Sequence, residues 1–371
     1  MGYDVITLDP QPRSPCGQIA DEQIVASYDD LQAIERLGAR TDIVTYEFEN
    51  IAIESVRRLE DRGYAVSPSS GVLRITQDRV SEKRFARDCG ARVVDFSEVK
   101  SDEDIRGWSG GYPAVLKTVS GGYDGKGQWR VETIDAAIAA RAQAGGARLI
   151  LEQWIPFECE ISVVCTRSAA GQIVTYPPSE NEHDAGILSL SIVPARVDAS
   201  IARRARSVAE RLAQALDIVG TFCVEFFVAG GEVIVNEIAP RPHNSGHYTI
   251  DATPCSQYEQ HVRAICALPL SPPFLLRNAI MVNILGAGTG NQLQGVDELL
   301  NDPSIVLHVY GKKHASRRRK MGHFTMLIDG PVGEEEIARA KAARESLYWS
   351  ADDEVAHHED NRHLKNALHR G

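Results

Sequence analysis

Phe222-Cys-Val-Glu-Phe-Phe-Val-Ala-Gly-Gly-Glu-Val-Ile-Val-Asn-Glu237 is two apolar runs hinged on Ala229-Gly230-Gly231. Runs of this length and composition around a glycine pair read as a β-hairpin. A turn centred near residue 231 sets Glu225 across from Glu237. Two carboxylates opposed on a sheet repel one another. A divalent cation between them reverses the sign, and magnesium takes a few carboxylate oxygens together with substrate phosphates. Asn236, beside Glu237, offers a further oxygen. The bland alternative is a solvated sheet face, and the apolar flanks of both strands argue against it.

Working outward, Arg241-Pro-His-Asn-Ser-Gly-His247 follows the hairpin directly. It packs a guanidinium, two imidazoles and an amide into seven residues. That set suits an anion beside the cation, or else a polar loop that caps itself. Upstream, Gly121-Gly-Tyr-Asp-Gly-Lys-Gly127 lies between predicted strands at 112–119 and 128–131. Its glycines allow successive N–H groups to wrap a phosphate, and Lys126 adds a point charge. It is not a Walker A loop, because Gln128 stands where Lys-Ser/Thr would follow. Nor is it a dinucleotide fingerprint, which needs a helix after the loop. It reads as a lid over a triphosphate, or as a flexible hairpin tip.

Lys117 sits inside the strand before this loop, where an unpaired ammonium is costly. A nucleotide α-phosphate would pair it; an edge lysine reaching water is the alternative. Glu152-Gln-Trp-Ile155 ends a further strand before Pro156 and can present backbone groups to an adenine edge. Glu160 is placed to bond ribose hydroxyls, although glutamates at element ends are common. Lys312-Lys313 and Arg317-Arg-Arg-Lys320 form a second basic cluster, which reads equally as a solvated loop.

The 371 residues are 43% apolar and 25% charged, which excludes wholesale disorder and predicts two or three domains. No apolar run approaches the roughly 18 residues of a membrane span. The first residues show neither the basic start nor the apolar stretch of a signal peptide. Lys and Arg number 40 against 51 Asp and Glu, a net charge of −11 that argues against nucleic acid as a partner. Seven cysteines without a CxxC pair read as reduced thiols of a cytoplasmic protein.

Strands at 3–8, 42–46 and 64–66 alternate with helices at 31–38, capped by Asp29-Asp30, and 51–62. That rhythm predicts a parallel α/β unit. One helix is predicted over 69–90, others over 134–144 and 199–216, and a strand over 148–152. The proline-rich stretch 268–273 reads as a boundary, and an acidic, histidine-rich tail ends the sequence.

Taken together, Lys117-Thr118, the glycine loop, Glu152, Glu225, Asn236-Glu237 and the Arg241–His247 string resemble the ATP-grasp enzymes. More narrowly they resemble the N5-carboxyaminoimidazole ribonucleotide synthetase family of purine biosynthesis. Thr45-Tyr-Glu-Phe-Glu-Asn50, Gln77-Asp-Arg79 and Lys320-Met-Gly-His323 are similar to that family as well. The resemblance implies an α/β, ATP-grasp architecture. A shortened preATP-grasp parallel domain would cover 1–75, a helix and lid 76–165, a catalytic sheet 166–270, and a small β-rich domain with its tail 271–371. It implies that ATP phosphorylates bicarbonate to carboxyphosphate, whose CO₂ is taken up by the amine of 5-aminoimidazole ribonucleotide. ATP contacts would be Arg79, Lys117, Gly122, Tyr123, Asp124, Gly125, Lys126, Gly127, Gln128, Glu152, Gln153, Trp154, Ile155, Glu160, His183, Asn236 and Glu237.

Glu225 and Glu237 would hold Mg²⁺, with Mn²⁺ able to replace it. Arg241, His243 and Asn244, with Lys126, would act on bicarbonate and the aminoimidazole, and Arg319 and Lys320 would meet the ribonucleotide phosphate. A homodimer is implied too. Family members carry a strand and a GGGQLG loop ahead of the equivalent of Met1-Gly2-Tyr3. A chain without them is expected to bind the ribonucleotide more weakly and to expose a sheet edge. Two other readings stand beside this one. One is a formate-dependent glycinamide ribonucleotide transformylase of the same superfamily; the other is an inert ATP-binding protein.

Overall fold

Asp30 starts the first helix: its carboxylate accepts from the N–H groups of Gln32 and Ala33 at 3.0 Å. The helix Leu31–Gly38 and the next, Ile53–Asp61, pack on a parallel strand pair, Ile6–Leu8 with Glu22–Ile24. Ile34, Leu37, Val44 and Leu59 form the small core between them. This is a computed structural model, and it describes residues 1–122, 127–288 and 290–350. Two predicted strands, 42–46 and 64–66, shrink to one parallel bridge between Val44 and Val66. The backbone pairing is confined to Val44, whose N–H bonds the Ala65 carbonyl and whose carbonyl takes the Ser67 N–H, both at 2.9 Å; the Thr45 hydroxyl meets His261 at 2.8 Å.

The helix predicted over 69–90 is two helices, Ser70–Thr76 and Arg79–Asp88. Asp78 breaks it by capping: its carboxylate takes the Ser81 N–H at 2.8 Å, an arrangement available only from non-helical backbone. The break aims Arg79 and Lys83, one helical turn apart, away from solvent.

A four-stranded antiparallel sheet follows, in the order Phe96–Val99, Leu149–Gln153, Ala114–Thr118, Gln128–Val131. The helices Asp102–Arg106 and Ile134–Gln143 cover one face of it over Val99, Ile105, Leu116, Val131 and Leu149. Lys117 alternates with Leu116, so it projects from the other face.

Most of the remaining strands form one nine-stranded sheet. Its main path runs Glu232–Ala239, Gly220–Ala229, Cys159–Arg167, Ser179–Asp184, Ile187–Val193, Asn278–Leu285, Lys320–Ile328, Ile305–Val309. Two cores sit on it. The helix Ala199–Leu216 buries Ile201, Ala205, Val208, Leu212 and Leu216 at helical spacing against Phe222, Val224 and Phe226. Ile337 and Ala340 of Glu334–Glu345 pack with Ile280, Phe324 and Met326. The sheet is continuous through the proline-rich stretch, with Leu190 paired to Val282. Residues 334–350, expected to be tail, therefore belong to the fold, and Tyr348–Ser350 pairs with Gln292–Gln294. Among the described residues no helix is long and apolar enough to cross a membrane, and all seven cysteines are free thiols.

Candidate active site

Glu225 and Glu237 are direct cross-strand partners. A uniform register would not have placed them so. Near the turn Val228 pairs with Val233 and Phe226 with Val235, which by simple counting would oppose Glu225 to Asn236. A β-bulge between Glu225 and Phe226 leaves Asn236 as the extra residue and brings Glu237 across. The side-chain oxygen Oδ1 of Asn236 is buried with no hydrogen-bond partner. Two carboxylates and an orphaned amide oxygen are an all-oxygen donor set of the kind magnesium takes.

Charge around the pair is unequal. Burial and the neighbouring Glu237 push Glu225 up to about 7, against the pull of His183 and Lys320. Glu237 feels the same burial, but Arg79, Lys117 and Arg241 outweigh it and hold its carboxyl below the usual range. Arg79 Nη1 lies 3.0 Å from Glu237 Oε2. The two carboxyls therefore titrate as a unit in which Glu237 ionises first.

Both line one cleft of about 580 Å³ between the four-stranded and nine-stranded sheets. Its walls gather the predicted residues Arg79, Lys117, Gly122, Gln128 and the stretch 152–155. From the large sheet and its loops come Glu160, His183, Asn236, Arg241, His243, Asn244 and Lys320. Gly127 and Arg319 stand outside this lining. Gly127 closes the strand turn at φ +70°, its carbonyl accepting from Thr118 N–H at 2.8 Å. Arg319 donates to the His314 carbonyl at 3.4 Å. Tyr123, Asp124, Gly125 and Lys126 lie outside the described residues.

Lys117 is buried, as the apolar strand predicted, and its Nζ is 2.7 Å from Glu152 Oε2. The other oxygen of Glu152 is 3.3 Å from Lys83 Nζ, which also donates to the Asn236 carbonyl at 3.2 Å. Glu152 is thus first a counter-ion. The two partners shift differently for a physical reason. Burial raises the Glu152 carboxyl, yet two ammoniums outweigh it and bring it down to about 2. Lys117 shares its single carboxylate with like-charged Lys83 and Arg79, so burial prevails and lowers it from the ordinary lysine value.

At one end the cleft is apolar and aromatic. Phe157 stacks on Phe227 at 4.7 Å, and the Arg130 guanidinium lies 4.5 Å from the Trp154 ring centroid. Glu160 Oε2 is 3.1 Å from His183 Nδ1. At the other end Arg241 is held in an ion pair by Glu49. His243 accepts the Ser245 N–H at Nδ1, 3.3 Å, so its proton is on Nε2, 3.2 Å from Glu225 Oε1. Burial, aided by Arg241, Lys320 and His183, holds His243 well below its ordinary value and hence neutral. Both side-chain polar atoms of Asn244 are buried without partners, which marks a site shaped for a polar ligand. His247 points elsewhere, into a ring cluster with Tyr258, Tyr310 and His323.

Three residues to which sequence reasoning gave no role complete the site. Lys83 lies one helical turn after Arg79, a spacing that would have flagged a shared basic face. Glu49 supplies Arg241 with its carboxylate, and nothing local in the sequence signals a pairing across 192 residues. Glu82 accepts the Ile238 N–H at 2.6 Å, and burial and Glu237 push its carboxyl up to about 8.

Three family models cover this chain. Residues 1–77 match a ribonucleotide synthetase preATP-grasp domain, and 84–258 an ATP-grasp domain. Residues 279–332 match a phosphoribosylaminoimidazole carboxylase C-terminal domain. The N5-carboxyaminoimidazole ribonucleotide synthase of Bacillus subtilis (strain 168) is 44% identical over 334 residues, 88% of this chain and 86% of that protein. The chain belongs to the N5-carboxyaminoimidazole ribonucleotide synthase family. It is accordingly an ATP-grasp ligase. The solved N5-carboxyaminoimidazole ribonucleotide synthetase from Thermotoga maritima superposes with a TM-score of 0.85 at 39% identity, covering 95% of this chain and 94% of that one. The synthase of Aspergillus clavatus, solved with ADP and 5-aminoimidazole ribonucleotide, gives 0.83 at 27% identity, covering 92% and 91%. These findings choose the synthase over the transformylase and the inert binder.

Proposed function

We propose that this chain converts 5-aminoimidazole ribonucleotide, bicarbonate and ATP into N5-carboxyaminoimidazole ribonucleotide, ADP and phosphate, through carboxyphosphate. The observation that carries the reading is the bulged hairpin. It sets Glu225, Glu237 and the orphaned Asn236 oxygen in one cleft with Arg241 and His243. Glu225, Glu237 and Asn236 would hold Mg²⁺, or Mn²⁺ in its place; the ion's chemistry is to neutralise and align the phosphate oxygens during transfer.

The other roles fall to the protein's own groups. Lys117 and Arg79 bring fixed positive charge to the phosphates. Trp154 and Ile155 with Phe227 offer an adenine slot, and Glu160 bonds the ribose. Arg241, oriented by Glu49, holds the bicarbonate-derived anion. Neutral His243 positions the reacting carboxyl beside Glu225, and Asn244 bonds the aminoimidazole. Lys320, on the wall, and Arg319, at the end of the basic run, take the ribonucleotide phosphate; Lys126 and its loop complete the phosphate contacts. Phosphoryl transfer needs little more than such positioning and neutralisation. The reading also includes a homodimer in the cytoplasm, the latter in keeping with seven free thiols.

The test is ADP release with ATP, Mg²⁺ and bicarbonate, with and without 5-aminoimidazole ribonucleotide. Ribonucleotide-dependent turnover that disappears in a folded Glu237→Ala variant is the expected result. Equal turnover without the ribonucleotide would overturn the proposal.

A further inference from the structure

His308 and His323 bracket the basic run, one on each strand leading to it, and they are direct cross-strand partners. Their rings stack at 4.7 Å with 19° between planes. Asp251, on the short helix Thr249–Ala252 just beyond the Arg241–His247 string, reaches them from the side. Its carboxylate oxygens lie 3.0 and 3.1 Å from His308 Nε2. The three side chains present one donor atom each within 4.8 Å of one another.

The second observation is the state of His323. It is 1% exposed, Nδ1 is engaged by the Tyr310 hydroxyl at 2.8 Å, and Nε2 is buried with no partner. A neutral ring nitrogen left with nothing to bond is costly in a core. Metal-binding histidines are oriented by a hydrogen bond at the ring's other nitrogen, a place the Tyr310 oxygen takes here. His247, 4.8 Å from His323, is bonded to the Tyr258 hydroxyl at 2.8 Å and forms a wall of the cluster.

We propose that Asp251, His308 and His323 bind a transition-metal ion of the zinc class, fastening both ends of the basic loop 310–319 to the helix Thr249–Ala252. Two imidazoles and one carboxylate select zinc, cobalt or nickel over magnesium, so this site is chemically distinct from the all-oxygen set at Glu225 and Glu237. Ligand distances of about 2.0–2.2 Å require the three groups to close slightly on the ion. The same closure breaks the His308–Asp251 hydrogen bonds and gives His323 Nε2 its missing partner.

The experiment is a Co²⁺ titration of the chelator-treated full chain with millimolar Mg²⁺ present, read by visible absorption and calorimetry, followed by Zn²⁺ displacement. One equivalent of Co²⁺ bound through nitrogen and oxygen is expected, with affinity falling at least tenfold in His308→Gln. His308 is half-buried, so that variant keeps the fold; Asp251→Asn is the second variant and weakens binding likewise. Binding in a Glu225→Gln background stays unchanged. Undiminished affinity in both His308→Gln and Asp251→Asn, a thiolate charge-transfer band, or no Co²⁺ binding at micromolar concentration would each overturn the proposal.

Discussion

Replacing Glu152 by Gln removes the carboxylate that Lys117 and Lys83 share while keeping the shape of the side chain. At separations of 2.7 and 3.3 Å, an effective dielectric of about 20 gives attractions of roughly 5–6 kcal/mol each. Those values are not the cost, because the stranded lysines have an escape. One of them can shed its proton, which at pH 7 costs about 5 kcal/mol for a lysine of ordinary pKa and less for one already lowered. The loss of stability is therefore capped near the 3–5 kcal/mol typical of a broken buried pair. For a unit of this size that is a fall in Tm of roughly 10 °C.

The escape also fixes the pH dependence. In the variant the folded lysine binds its proton less tightly than the unfolded one. Between those two pKa values the unfolded state holds more protons, so stability rises with pH. The deficit of Glu152→Gln should shrink by up to about 1.4 kcal/mol per unit above pH 7, and level off where the already lowered Lys117 of the parent loses its own proton. Thermal and urea unfolding at pH 7, 8 and 9, side by side with the parent chain, measure it. A deficit below about 1 kcal/mol at pH 7, or one that ignores pH, would refute the reasoning that the three groups form one ionised cluster.

Glu82, with its carboxyl pushed up to about 8, is a neutral acid in the folded state at pH 7. Glu82→Gln keeps an oxygen for the Ile238 N–H, so it costs less than about 1 kcal/mol at pH 5. Between pH 4.5 and 8 the folded parent holds a proton that the unfolded chain has lost. Glu225 gives parent and variant alike some loss with rising pH, so the parent weakens more steeply than the variant; urea midpoints across that range check the difference in slope, and equal slopes would contradict it. Gly127→Ala places a Cβ 2.7 Å from Thr118 Oγ1 at φ +70°. It should cost about 1–3 kcal/mol, raise the KM for ATP and speed amide exchange in Ala114–Thr118. Removing the Thr118 side chain as well should recover the steric part, and an unchanged single variant would count against the close approach.

What could be read in the sequence was what depends on neighbours in the chain. The helix Ala199–Leu216 shows its apolar stripe, Asp30 its cap, and the 222–237 run its hairpin, down to the opposition of Glu225 and Glu237. That last reading was right through an arithmetic that assumed a centre at residue 231, whereas the bulge supplies the shift. The Asp78 break was missed because a capping residue inside a helix-compatible run looks like an ordinary polar position. Glu334–Glu345 was missed because Ile337 and Ala340 are its only fully buried side chains, too few to show a period. Lys83 with Glu152 and Arg241 with Glu49 were illegible for another reason. A buried charge is recognisable only from its partner, and these partners lie far off in the sequence, 192 residues away for Arg241 and Glu49.

The bulge at Asn236 makes the candidate site depend on a count of residues rather than on their identity alone. Between Glu225 and Glu237 a substitution changes a side chain, but a single deletion within 233–236 would let regular pairing oppose the two glutamates and would abolish the bulge that lets Asn236 and Glu237 face the cleft together. Insertions and deletions in this hairpin are thus a sharper criterion than percentage identity for judging which distant sequences keep the chemistry. A homologue retaining both glutamates with one residue fewer between them would keep the opposed carboxylates and lose the amide oxygen beside them.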